Sequence, residues 1–145
     1  MLSPRSVAVA VAVAVLLGGL ACLATAAASD APALQGAWQL QSGESVNKEG
    51  AVVDYASQKL AGTKLLADGR FAFTTTSDGK FWAGGSGTYT TEGGRYVETP
   101  LMASYPLESG GLYEFRYTLE GDVWTLERWD GERRVEREVW RRVAR

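Results

Sequence analysis

Glu98 and Glu114 are the carboxylates whose settings could carry chemistry. Each sits inside an aromatic, strand-like run, Tyr96-Val97-Glu98 and Tyr113-Glu114-Phe115. A pair of carboxylates flanking one bond can divide the acid and base roles of glycoside hydrolysis. Nothing in their spacing brings these two together, and surface or structural roles are the ordinary fate of carboxylates. Ser and Thr are plentiful, but the chain has no His to activate them, which also removes the commonest metal ligand. A Lys base such as Lys64 or Lys80 would need deep burial to lose its proton, and their polar flanks argue for solvent. Gly84-Gly85-Ser86-Gly87 is glycine-rich, but it leads into a strand and lacks the Lys and helix of a phosphate loop. No catalytic residue, metal site or cofactor follows from these patterns.

The elements that must position these residues begin after a distinct leader. Arg5 is the only charge before Asp30, and Val7–Leu17 is an unbroken apolar run followed by Gly18-Gly19 and small residues through Ala28. That is the layout of a secretory signal peptide over 1–28. The run is short for a bilayer span, which wants about 20 residues, so the mature form is expected to have no membrane span. Cleavage after Ala28, after Ala26, or lipidation at Cys22 are the competing routes. The lipid route is the weaker fit, because Gly19 stands where lipoproteins usually carry Leu. The expected location is exported, periplasmic or secreted, with a lipid-anchored envelope protein as the alternative. Cys22 is the only Cys, so the mature chain would fold without disulfides.

Residues 29–35 read as a short tether and 36–145 as one domain. The chain carries 15 Lys+Arg against 17 Asp+Glu, a formal charge of −2. That balance argues against a nucleic-acid partner, which needs a basic stripe. Strand-like runs alternate with tight turns. Gly36–Gln41 is the first, 43–53 reads as loop, and Tyr55–Leu60 reads as a helical turn. Asp68-Gly69 is a two-residue hairpin signal between 64–67 and 70–75. The stretch 81–91 is loosened by Gly84, Gly85 and Gly87, the mark of a bulge or bend. Strands at 95–99, 112–119, 123–129 and 133–143 follow, with a loop over 100–111. Tight turns permit only antiparallel pairing. The expected fold is all-β: an antiparallel up-and-down meander of about eight to ten strands closing into a small barrel, with a two-sheet sandwich as the runner-up.

Alternation leaves the inner face of the last strand open. Val135, Val139 and Val143 share one face with Arg137 and Arg141; Glu136, Glu138, Trp140 and Arg142 share the other. The 5 Trp, 6 Tyr and 4 Phe all follow residue 28. Their bland reading is core filling. Their functional reading is a lined pocket, with Phe71, Phe73, Trp82, Tyr96, Phe115, Tyr117 and Trp140 as candidates, and Glu98 among them.

Gly36-Ala37-Trp38 resembles the Gly-x-Trp opening of lipocalin and related calycin barrels. Further segments resemble small exported bacterial lipocalin-like proteins, most of them uncharacterised. They are Gly69-Arg70-Phe71-Ala72-Phe73, Gly84-Gly85-Ser86-Gly87-Thr88-Tyr89-Thr90, Tyr96-Val97-Glu98, the run from Phe115 to Trp124, and Glu138-Val139-Trp140-Arg141-Arg142-Val143. Together they span most of the chain after the leader, in order. The resemblance implies a calycin-like barrel with one end closed by Trp38 against an Arg near the C-terminus, Arg142 first and Arg141 second. It also implies a cavity holding a small apolar or amphipathic molecule without covalent attachment. Thr99 stands where the family often has a His, so no His-dependent activity carries over. The alternatives are an envelope interaction or structural protein with a side-chain-filled barrel, and a carboxylate-dependent enzyme using Glu98 or Glu114.

Overall fold

The computed structural model describes residues 31–107 and 110–144. The signal-peptide, cleavage and Cys22 expectations lie outside the described residues. Nine strands run through the described part: β1 (Gly36–Val46), β2 (Val52–Asp54), β3 (Leu60–Ala67), β4 (Arg70–Ser77), β5 (Lys80–Glu92), β6 (Arg95–Ala103), β7 (Tyr113–Glu120), β8 (Val123–Asp130) and β9 (Arg133–Arg142). All pairings are antiparallel, each strand from β3 onward pairs with the next, and β1 pairs with both β3 and β9. The result is a closed eight-stranded barrel with β2 added on β1. Closure leaves the barrel strands without free edges, which suits a meander of short strands. Among the described residues no helix is long and apolar enough to cross a membrane.

Turn chemistry sets the register. Asp68 and Gly69 both adopt positive φ, 47° and 73°, which matches the twist of the flanking strands. The turn therefore pairs Leu66 with Phe71 and Lys64 with Phe73. The glycines of β5 serve close approach. The register shifts between Ser86 and Gly87, and a Cβ on Gly87 would run into the Thr99 carbonyl.

Three segments differ from the sequence expectation. Residues 43–46 extend β1, and 52–54 form β2, where a loop was expected. The polar side chains there occupy strand positions near the barrel end, where they lose little by pairing. Strand β6 runs on to Ala103 through Pro100, which sits beside the β5 bulge, where a missing N–H is tolerated. The expected tether contains a helix, α1 (Ala31–Leu34). Its Leu34 is fully buried, and the Leu34 carbonyl accepts the Trp38 indole N–H at 2.8 Å. Tyr55–Gln58 is a single 3-10 turn capped by Asp54, close to expectation.

The hydrophobic core lies toward the end where β1 begins. Trp38, Leu66, Phe71, Tyr89, Tyr96, Phe115, Trp124 and Leu126 are buried there with Leu34. Trp38 packs on Trp124 at 5.3 Å between ring centroids, and Tyr96 meets Trp124 edge-on at 5.0 Å. Arg142 closes this end. Its guanidinium lies 4.2 Å from the Trp38 ring centroid and donates to the Ala33 and Gln35 carbonyls, each at 2.6 Å.

Candidate functional site

On β9 the inner face is the one bearing Glu136, Glu138, Trp140 and Arg142. Trp140 is 2% exposed, and the register places it opposite Trp124 of β8 and Leu40 of β1. This brings two carboxylates into the barrel above the apolar core.

A buried ion pair joins them. Lys64 and Glu98 are only 4% and 6% exposed, and Lys64 Nζ donates to Glu98 Oε1 at 2.7 Å. The same oxygen accepts the Tyr96 hydroxyl at 2.8 Å. Four rings face the ammonium, with centroids between 5.3 Å (Trp140) and 5.9 Å (Phe73). Burial alone would pull the Lys64 pKa down; the charge of Glu98, then that of Glu138, outweighs it and holds the pKa above its ordinary value. Lys64 is thus a fixed cation and not a free base. The solvent position expected from its flanks is corrected. Strand alternation turns Leu65 outward, at 52% exposure, and Lys64 inward with Gly62 and Leu66.

Glu136 and Glu138 lie toward the open end. Glu136 accepts Arg128 Nε at 2.8 Å on one oxygen and the Tyr55 hydroxyl at 3.0 Å on the other. Glu138 Oε2 accepts the Trp140 indole N–H at 2.9 Å. Burial, then the charge of Glu136, pushes the Glu138 pKa up to about 7, against the opposing pull of Lys64. Burial also raises Tyr55, and it lifts Tyr105, beside Tyr113, to about 12, so both phenols stay protonated at neutral pH.

These groups surround a cavity of about 300 Å³, walled by Phe73, Phe115, Tyr105, Tyr113 and Trp140 and floored by Lys64, Glu98 and Glu138. It adjoins a wider recess of about 350 Å³ that reaches Tyr55 and Trp82, and the two share Phe73, Thr75, Tyr105, Glu136 and Glu138. The rim is apolar: Phe81, Trp82, Leu101 and Met102 are 60% to 69% exposed.

Of the residues singled out in the sequence, Phe73, Glu98, Phe115 and Trp140 meet at the cavity, and Trp82 stands at its mouth. Phe71, Tyr96 and Tyr117 belong to the packed layer beneath. Trp38 and Arg142 meet at the closed end. Glu114 is on the outer surface, paired with Arg95 at 3.3 Å. It therefore shares no substrate with Glu98, which faces inward one pair along in the same β6–β7 ladder. Sequence reasoning did not rank Lys64, Tyr55, Tyr105, Arg128 and Glu136 as site residues. For Lys64 the signal was present: the Asp68-Gly69 register places it opposite Phe73.

Among the described residues no group of three or more His, Cys, Asp or Glu is placed to hold a metal ion. The chain matches no known family model and no curated protein.

Proposed function

We propose that this chain is an exported, lipocalin-like binding protein that holds a small amphipathic molecule, without covalent attachment, in the cavity at the open end of its barrel. The observation that carries this reading is the division of the interior. One half is filled by Trp38, Trp124, Tyr96 and their neighbours. The other half leaves about 300 Å³ between aromatic walls and a charged floor. Pockets of this size with apolar walls and a few convergent polar groups are the usual form of small-molecule sites. An amphipathic ligand suits it better than a wholly apolar one, because Lys64, Glu98 and Glu138 offer a polar end that oil would leave unsolvated. The reading involves no cofactor and no metal.

A second reading has its own observation. The exposed rim of Phe81, Trp82, Leu101 and Met102 is the kind of apolar patch that meets another macromolecule. An envelope interaction protein would use the rim and ignore the cavity. The catalytic alternative, if it is to be kept, moves from Glu98 and Glu114 to Glu138, the carboxylate in the pocket whose pKa is raised toward neutrality.

Filling the cavity separates these readings. Thr75 lines both recesses, and Thr75→Trp would occupy the space between Phe73 and Glu138. Titration with a panel of amphipathic probes, read by Trp fluorescence, is expected to show saturable quenching that Thr75→Trp weakens at least tenfold. Equal binding by both proteins, or none by the wild type, rejects the cavity as the binding site.

A further inference from the structure

The head group of the ligand can be read from the charges facing the cavity, an inference that rests on the binding reading above. Two cations and three carboxylates face the interior: Lys64 from β3, Arg128 from β8, Glu98 from β6, and Glu136 and Glu138 from β9. Lys64 is paired with Glu98 at 2.7 Å, and Arg128 with Glu136 at 2.8 Å. Glu138 has no cation of its own in hydrogen-bond contact. Its Oε2 takes the Trp140 indole N–H, and among the described residues nothing donates to its Oε1. The remaining ionisable neighbours are phenols from three segments: Tyr55 in the 3-10 turn, Tyr105 in the loop before β7, and Tyr113 in β7. They bring hydroxyls and ring faces but no positive charge.

With Glu138 ionised, above about pH 7, the cavity is one negative charge in excess, and its walls are aromatic. A carboxylate or phosphate ligand would add charge of the same sign, and both cations are already committed to carboxylates. A cation would neutralise the excess, donate to the vacant oxygen and lie against ring faces that attract positive charge. We propose that the cavity takes a small organic amine, its ammonium seated on Glu138 Oε1 and its apolar part along Phe73, Trp140 and Tyr113. A space of about 300 Å³ equals roughly ten water volumes. That admits an arylalkylamine of about that many non-hydrogen atoms.

The direction of pH dependence follows. Glu138 takes a proton as pH falls through about 7, while an alkylammonium, like Lys, stays charged throughout this range. Amine binding therefore strengthens from pH 5.5 to pH 8.

The test is a calorimetric titration of the full folded domain with three matched probes: 2-phenylethylamine, 2-phenylethanol and 3-phenylpropionate. At pH 8 the amine is expected to bind at least tenfold tighter than either partner. The preference should shrink severalfold or more at pH 5.5 and vanish in Glu138→Gln. The wild-type comparison alone is decisive should that variant not fold. Equal binding of the three probes, or preference for the carboxylate, overturns the amine assignment and leaves the cavity as a binding site. Binding of none at millimolar concentration overturns both.

Discussion

Replacing Lys64 by Met would leave the Glu98 carboxylate inside the barrel with only the Tyr96 hydroxyl to hold it. The Nζ–Oε1 distance of 2.7 Å corresponds to roughly 6 kcal/mol of attraction at an effective dielectric constant of about 20. Desolvating the two ions costs several kcal/mol each, so the pair's net worth is small, while breaking it is costly. Lys64→Met alone should cost about 3–5 kcal/mol, because it strands the Glu98 carboxylate, and Glu98→Gln alone somewhat less, because the Glu138 charge remains near the ammonium. The double variant removes both charges, and the amide oxygen introduced by Glu98→Gln still accepts from Tyr96. It should cost less than either single change, giving an interaction energy of about 3 kcal/mol or more. Urea unfolding followed by Trp fluorescence measures all four corners of the cycle, with slopes compared to confirm that the unfolded states match. A total stability of about 5–15 kcal/mol is typical of such domains. At the low end of that range the single variants would not fold, and the double variant would. Single costs below about 1 kcal/mol that simply add in the double variant would refute a buried pair and, with it, the inward placement of Lys64.

Two further perturbations test other parts of the interior. The folded pKa of Glu138 is raised from 4.5 to about 7, so its contribution to stability is fully present below 4.5 and lost as pH rises through about 7. The difference amounts to roughly 3 kcal/mol. Glu138→Gln should thus be more stable than the wild type at pH 8 by up to that amount, with the gap closing by pH 5, as read from thermal or urea unfolding across pH. At the closed end, Arg142→Ala removes two hydrogen bonds to carbonyls at 2.6 Å and the cation over Trp38. The expected loss is about 3 kcal/mol in urea unfolding. Arg142→Lys should restore less than half of it, since a single ammonium lacks the planar guanidinium whose two terminal nitrogens reach separate carbonyls while stacking on Trp38.

Much of the architecture was legible because tight turns dictate antiparallel neighbours. Asp68-Gly69, Gly93-Gly94 and Gly121-Asp122 each join consecutive strands, and a meander of that many strands closes. The Trp38–Arg142 contact followed from resemblance, and the geometry agrees. What escaped was the interior. The polar flanks of Lys64 argued for solvent, and the barrel turns it inward, because a buried Glu98 makes a buried Lys tolerable and no local pattern records a partner 34 residues away. Glu136 and Glu138 were visible as one face of β9, which the resemblance to related barrels mildly favoured as the inner one, but alternation left the competing Val135/Val139 face open until the register with β1 and β8 was known. Residues 43–46 and 100–103 were hidden by polar and Pro-containing composition at strand ends. Tyr105, in the loop before β7, carries no periodicity from which its place over the cavity could be read.

Native mass spectrometry of the protein purified from its own cells, with solvent extraction of whatever accompanies it, tests the binding account most directly. The account predicts one small molecule per chain, basic in character and carrying an apolar group, released on denaturation and absent from Thr75→Trp. A clean mass of the chain alone, together with no quenching of Trp fluorescence by any amphipathic probe, would contradict it and leave the apolar rim as the working surface.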